Sequence, residues 1–441
     1  MAPSLGACPN PLAPTINARL ARPDVASAHW GMVIQDLASG ETLYERNGDQ
    51  LFTPASSLKL LVTAAALRSL GADFRWQTPL YLQGAPPVLA ELTLNAQGDP
   101  TLTTADLTKL ARELRQRGVT VIETLTLADA TPPQRRHPDS WEGGDLTYGY
   151  APPVNQAILN GNQGTLTLTP QSLGQPLKLE VSDPLALETV SLINQTLTAP
   201  ASEPLALTGV WGTSQWILTG ALTPQAEPAD LNFAVPDPGA YFLAVLRREL
   251  SQQGIEIRQE RLVRDFTPSS APGLILTSPP LGEIVARINQ ESDNLYAEAL
   301  GRLLERRQLS LTPLGADFLL KDYSGLSRQN LVSPRLLIHL LREMTQTPSA
   351  SVFRESLALM GERGTLRRRL GETPIAGKFW GKTGTLTGTV SLAGYWEISP
   401  QQTLGVAILV NNSRLGGGDL RRIIDELLLG ILGRCQGFDL P

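Results

Sequence analysis

The sequence predicts a multi-domain α/β protein, with a central antiparallel sheet flanked by helices that draws on both ends of the chain and carries a large β-rich insertion. Three observations predict it. The 441 residues exceed what one core fills, since domains run about 100 to 200 residues. A strand pair and a helix open the chain, and strands and a helix close it. Between them, from about residue 76 to 265, the pattern changes to short β-like segments punctuated by Gly and Pro.

Trp30 to Leu37 and Glu41 to Arg46 alternate in the manner of paired strands and are joined by Ala38-Ser39-Gly40, which reads as a hairpin. Thr53-Pro54 supplies a helix start, with Thr53 as cap and Ser56 in the first turn, and Ala55 to Leu70 continues it until Gly71. The insertion includes Leu80-Tyr81-Leu82, Leu92-Thr93-Leu94, Thr165 to Thr169, Leu177 to Val181 and Trp216 to Leu218. Pro-rich joints at 132–138, 199–204 and 224–237 are candidate internal boundaries. Helical periodicity returns at Gly282 to Ile288 and Leu295 to Arg306, then at Pro334 to Met344 and Val352 to Leu359. Strands are expected around Lys382, at Val390 to Ile398 and at Leu404 to Asn411. A last helix, Asp419 to Leu432, carries an apolar face expected to pack on the sheet.

The net charge of −5 argues against nucleic acid as a partner. No apolar run approaches the roughly 18 residues that a membrane span needs. The amino terminus shows neither the basic patch nor the apolar core of a signal peptide, which leaves a cytosolic protein or a mature exported one. The two cysteines, Cys8 and Cys435, are too few for a disulfide framework; one bridge pinning the termini and two unrelated thiols are the alternatives. His29, His137 and His339 lie far apart without metal spacing, and no phosphate-cradling glycine motif occurs, so no cofactor or metal is expected.

Three short motifs carry chemistry, in this order: Ser56-Ser57-Leu58-Lys59, Ser292-Asp293-Asn294 and Lys382-Thr383-Gly384-Thr385. Any one alone is weak; the ordered set is strong evidence for serine acyl transfer. Residues three apart on a helix share a face, so Lys59 can reach the Ser56 hydroxyl and take its proton if the amine is neutral. Arginine could not do this, because it does not deprotonate. Only six of the 37 basic residues are lysines, and two of them stand in these motifs. The Ser56 N–H at a helix amino terminus and the N–H of Thr385 on an edge strand would form an oxyanion hole. Ser292 would relay a proton to the leaving amine, and Asn294 would orient substrate and Lys59. Lys382 would bring a positive charge that depresses the Lys59 pKa and, with the Thr383 and Thr385 hydroxyls, attract a substrate carboxylate, while side-chain-free Gly384 lets substrate lie against the strand.

These motifs, with Gly98-Asp99-Pro100-Thr101-Leu102, Trp141, Gly144-Asp145-Leu146, Tyr150 to Pro153, Ser324-Gly325-Leu326-Ser327-Arg328, Gly364-Thr365-Leu366-Arg367 and Gly381 to Gly388, make the chain resemble the penicillin-interactive serine enzymes. The likeness is to the class C low-molecular-mass penicillin-binding proteins, a D-alanyl-D-alanine carboxypeptidase/endopeptidase family, and spans nearly the whole chain. The resemblance implies a transpeptidase/β-lactamase-like domain from residues 1–75 and 268–441, an inserted domain from 76–162 and 223–267, and a β-rich domain at 163–222. It implies hydrolysis of the terminal D-Ala-D-Ala bond of peptidoglycan stem peptides, cleavage of cross-bridges as a companion activity, acylation of Ser56 by β-lactams, and a periplasmic or otherwise extracytoplasmic location. It also implies that Asp145 contacts the side chain of the peptide's diamino acid, with Arg367 as a second partner for that group. The alternatives are a turn residue at Asp145 and a solvated helix end at Arg367. The doublet Gly143-Gly144 stands where the family commonly has aromatic or polar residues.

A β-lactamase is the nearest enzymatic alternative. After residue 294 no Glu is followed four positions later by Asn, the arrangement class A enzymes use to position deacylating water. A catalytically inactive penicillin-sensing or wall-binding module is the alternative of a different kind. The intact set Ser56, Lys59, Ser292, Asn294 and Lys382 argues against it.

Overall fold

A computed structural model describes residues 12–309, 311 and 318–436. Two units are present, one formed by Met1–Phe74 and Pro280–Pro441, the other by Arg75–Pro279. Cys8 lies outside the described residues, so its pairing with Cys435 does too.

The first unit is built on six antiparallel strands in the order Ala358–Leu359, Phe379–Leu386, Thr389–Ser399, Gln402–Asn411, His29–Asp36 and Thr42–Arg46. Strands Thr389–Ser399 and Gln402–Asn411 bury nearly every residue, as a sheet covered on both faces requires. One face meets helix Gly417–Gln436, whose Leu420, Ile423, Ile424, Leu427, Leu428 and Ile431 share a core with Met32, Ile34, Val406 and Ile408. Helix Pro334–Met344 packs on His29–Asp36 and Gln402–Asn411 from the other face. There Gly31 and Gly405 leave room for Pro334 and Ile338.

Helix Lys59–Leu70 is buried at every residue from 59 to 67 and packs against Leu281–Glu291, Asn294–Arg306 and Pro334–Met344. Its all-round apolar sequence fits that central place. The single helix expected from Ala55 is in fact two elements, a 3-10 turn at Ala55–Leu58 followed by the α-helix. Ala55 has φ +49°, which bends the entry so sharply that Thr53 cannot cap it; the Thr53 hydroxyl instead donates to Arg328 O at 3.1 Å. The helix expected to run to Leu359 ends at Ser356, because Ala358–Leu359 pairs with the sheet.

The second unit holds a five-stranded sheet in the order Glu256–Val263, Val121–Ala128, Val88–Asn95, Gln77–Ala85 and Leu274–Thr277. The first three strands run parallel and the last two pairings are antiparallel. Because Leu274–Thr277 pairs with Gln77–Ala85, the insertion runs to Pro279 and not to 267 as the resemblance implied. It is also less purely β than expected, since helices Thr104–Gln116 and Pro238–Gln252 occur in it. The first has a Thr103/Asp106 capping box and buries Leu107, Leu110, Ala111 and Leu114, a helical spacing present in the sequence. A three-stranded sheet pairs Ala229–Ala234, Gln163–Thr169 and Lys178–Val181, which crosses the implied partition at 222/223. A further sheet joins Glu203–Gly209, Gln215–Leu222, Ser191–Asn194 and Leu197–Thr198, and one apolar core runs through all of them.

Leu428 is fully buried between helix and sheet, so Leu428→Ala removes apolar contact and leaves a cavity. The expected loss is about 2–5 kcal/mol of stability, measurable as a lower denaturant midpoint at unchanged slope.

Candidate active site

The 3-10 turn sets Ser56 one helical turn ahead of Lys59, which begins the buried helix. The Lys59 Nζ lies 3.0 Å from Ser56 Oγ, 2.6 Å from Asn294 Oδ1 and 2.5 Å from the Ser324 carbonyl oxygen. Both of the last two atoms are acceptors only. A neutral amine has two N–H groups and one lone pair, so these acceptors take both hydrogens and turn the lone pair toward the Ser56 hydroxyl.

Asn294 and Ser292 reach the site from a tight turn between helices. Leu281–Glu291 ends at Ser292, which adopts a left-handed conformation with φ +63°. The Asp293 carboxylate then caps the next helix by accepting from the Tyr296 N–H at 3.1 Å, and Arg287 Nε steadies it at 3.1 Å. Ser292 Oγ accepts from Lys382 Nζ at 2.9 Å, and the same amine donates to the Thr383 carbonyl at 2.8 Å. One chain of contacts thus runs from Ser56 through Lys59 to Asn294, and another from Ser292 to Lys382.

Strand Phe379–Leu386 brings the third motif to the nucleophile turn. A Cβ on Gly384 would fall 2.8 Å from the Ser56 backbone nitrogen, 2.7 Å from Pro54 O and 2.3 Å from Ser391 Oγ, so only glycine permits this approach. Two residues that sequence reasoning did not single out lock it. Ser391 Oγ donates to Pro54 O at 2.6 Å and lies 2.7 Å from Ser57 Oγ, which itself lies 3.4 Å from Lys382 O. Ser57 carries a sequence signal only as the neighbour of Ser56, and Ser391 carries none. Thr383 Oγ1 meets Thr365 Oγ1 at 2.8 Å, and Arg421 donates to Thr385 Oγ1 at 3.3 Å.

Both lysines are fully buried. Burial brings Lys59 down to about 8, against the opposing pull of Asp322, Asp293 and Glu298. Burial and then repulsion from Lys59 hold Lys382 well below the usual lysine range. Among the described residues no carboxylate pairs with Lys382. The positive charge expected of Lys382 is thus opposed by its burial and by the neighbouring Lys59.

Ser56, Lys59, Ser292, Asn294 and Lys382 thus converge, and Thr383, Gly384 and Thr385 line the same strand. Arg367 is exposed and shares a cavity of about 390 Å³ with Gln290, Glu291, Thr365 and Arg368, next to the Thr365–Thr383 contact. Asp145 belongs to the second unit, where its Oδ1 accepts from the Tyr150 hydroxyl at 2.6 Å. In that unit a Cβ on Gly143 would come within 2.7 Å of the Trp211 indole, so the glycine doublet leaves space for an aromatic ring from elsewhere in the chain. Among the described residues no group of three or more His, Cys, Asp or Glu could hold a metal ion, and no helix is long and apolar enough to cross a membrane.

Replacing Ser391 by Ala takes one hydrogen-bond partner each from the buried Ser57 hydroxyl and the Pro54 carbonyl, which keep only the longer contacts of Ser57 Oγ to Lys382 O at 3.4 Å and of the Ser57 N–H to Pro54 O at 3.3 Å. The expected cost is about 1–3 kcal/mol of stability, read by thermal melting, with a slower acylation of Ser56.

Residues 12–429 match the model of the D-Ala-D-Ala carboxypeptidase 3 (S13) family. A D-alanyl-D-alanine carboxypeptidase of Actinomadura sp. is 30% identical over 95% of this chain and 84% of its own length. The D-alanyl-D-alanine carboxypeptidase DacB of Haemophilus influenzae is 25% identical over 88% of this chain and 86% of its own. The crystal structure of penicillin binding protein 4 from H. influenzae covers 94% of this chain and 96% of its own with a TM-score of 0.78 at 22% identity, which shows a shared multi-domain α/β fold. With a family model that matches nearly the whole chain and a relative at 30% identity, this chain belongs to the D-Ala-D-Ala carboxypeptidase 3 family of serine-type peptidases.

Proposed function

We propose that this carboxypeptidase removes the terminal D-alanine of peptidoglycan stem peptides through an acyl-enzyme on Ser56, with Lys59 as general base. The observation that carries this reading is the Lys59 amine, buried and 3.0 Å from Ser56 Oγ, with acceptors on its other two sides.

In the first step Ser56 Oγ forms a bond to the penultimate carbonyl carbon while its proton passes to Lys59 Nζ. The Ser56 and Thr385 N–H groups receive the negative oxygen. The carbon–nitrogen bond then breaks, and the proton taken up by Lys59 is delivered to the departing amine of D-alanine with the Ser292 hydroxyl, which accepts from Lys382, as the relay, so that Ser292 keeps its hydroxyl and Lys59 is neutral again. Water attacks the ester carbon, Lys59 takes its proton and returns it to Ser56 Oγ as the ester bond breaks, and both Ser56 and neutral Lys59 are restored. Lys382 and the Thr383 and Thr385 hydroxyls hold the terminal carboxylate, which supplies the negative charge that lets buried Lys382 keep its proton. A strained cyclic amide such as a β-lactam meets the same nucleophile, but its amine stays tethered, so the ester persists. Arg367 is the group of the first unit that reads the diamino acid side chain. The same bond chemistry cuts a cross-bridge when the leaving amine belongs to a second peptide. This substrate places the working enzyme outside the cytoplasmic membrane.

Incubation with a diacyl-D-Ala-D-Ala tripeptide and an assay of free D-alanine test the reading. Release by the wild type, and a loss of about 10³-fold or more in Ser56→Ala and Lys59→Ala, are expected. No release, or release unaltered by Ser56→Ala, contradicts it. The neutral amine is the active form and its pKa stands near 8. The acylation rate therefore rises about tenfold per pH unit below that value and levels off above it.

A further inference from the structure

A buried carboxylate that the proposed reaction does not use stands behind its base. Glu298 is 1% exposed and lies one helical turn beyond Asn294, on the same face of Asn294–Arg306. Its Oε1 accepts from the backbone N–H of Tyr323 and of Ser324, both at 2.8 Å. The carbonyl of Ser324 is the one that Lys59 Nζ meets at 2.5 Å. The helix therefore grips Lys59 twice, directly through Asn294 Oδ1 and indirectly through Glu298 and the Ser324 peptide.

The loop that carries this peptide is fixed on every side. Asp322, also buried, accepts from the Gly325 N–H at 2.8 Å, the Ser327 N–H at 2.6 Å and Asn330 Nδ2 at 2.7 Å. The Tyr323 ring lies against Gly301, where a Cβ would be 2.0 Å from it. Gly325 has φ +83° and sits where a Cβ would fall 2.0 Å from Ala55 O, so the loop touches the nucleophile turn itself. A wholly uncharged loop could make these contacts. Two buried acids are a costly way to do so unless charge is useful there.

We propose that Glu298 is a positioning residue for Lys59: it holds the Ser324 carbonyl against the amine and places a negative charge behind it that tightens its hold on the proton. The proposal rests on the reading of Lys59 as general base. Glu298 acts beside Asp322 and Asp293, which favour the protonated amine as well, and against the burial of that amine, which disfavours it; the charge on Lys59 in turn lowers Lys382. Around Glu298 itself stand Asp322, which resists its ionisation, and Arg302, which favours it. Burial first, then Asp322, push Glu298 up to about 7, so it is charged over the range in which Lys59 loses its proton.

The test is the second-order acylation rate with benzylpenicillin from pH 5 to 10 for the wild type and Glu298→Gln, with melting curves at pH 5 and pH 8. Glutamine keeps an oxygen for both N–H groups and removes the charge. The midpoint of the rise is expected to move to lower pH by roughly half a unit or more, with the alkaline plateau reduced by less than about tenfold. The stability readout has a definite sign. A carboxyl raised from its ordinary 4.5 to about 7 contributes stability that is fully present below about 4.5 and is lost as pH rises through 7. The melting temperature of Glu298→Gln relative to wild type should therefore climb between pH 5 and pH 8. An unmoved midpoint, a lower plateau at the same midpoint, or a Gln variant that fails to fold at pH 8 overturns the proposal. A wild type without a rise centred near 8, or a Lys59→Ala variant that acylates normally, overturns the base reading instead and the present proposal with it.

Discussion

An amine removed from water and given two acceptor-only partners is the constraint on which the rest of the site depends. Burial favours neutral Lys59, and the oxygens of Asn294 and Ser324 engage its two hydrogens, so its lone pair has one place to point, toward Ser56 Oγ. Three nearby acids temper the burial, which is why the amine settles near 8 and not far below. Were the acids absent, the base would be too weak to draw a hydroxyl proton; were the site wet, it would stay protonated at neutral pH.

The fold serves this amine by enclosing it. Helix Lys59–Leu70 is buried on all sides because helices surround it and a sheet covered on both faces lies beneath. Nothing on that helix but Lys59 and Thr63 is polar within the buried stretch, and Thr63 satisfies itself on the Lys59 carbonyl at 2.8 Å. The second lysine arrives on a strand that glycine alone lets close, so two amines that would repel each other if both were charged share a small dry volume. Their mutual repulsion is relieved when one gives up its proton or when an anion enters, and a peptide's terminal carboxylate is such an anion. Binding and activation are linked through that balance.

The reacting groups were legible in the sequence because each is a short, ordered signal whose residue types are chemically irreplaceable: a serine and lysine three apart, a serine and asparagine flanking a cap, and a lysine before a glycine on a strand. The discontinuous first unit was legible too, since strands at both ends need partners. What was not legible depends on long-range geometry. Thr53 reads as a cap until Ala55 turns to positive φ, and Ser391 reads as any strand residue until its hydroxyl meets Pro54 from over 300 positions away. Glu298 looks like one more polar residue in an amphipathic helix; its place behind Lys59 needs the 322–327 loop to be folded over it. In the insertion, helices Thr104–Gln116 and Pro238–Gln252 stand among short strand-like segments punctuated by Gly and Pro, and that punctuation hides the helical spacing of Leu107, Leu110 and Leu114.

The chain has only six lysines, so the side-chain amines can be followed individually by NMR after labelling lysine at the carbon next to nitrogen. Titration of the free enzyme, with Lys59→Arg and Lys382→Arg variants to assign the signals, measures the central quantity directly. The account predicts that Lys59 titrates near 8 and Lys382 below the usual lysine range. A Lys59 signal that titrates near the ordinary lysine value of 10.5 would mean a charged amine at working pH, and would contradict it.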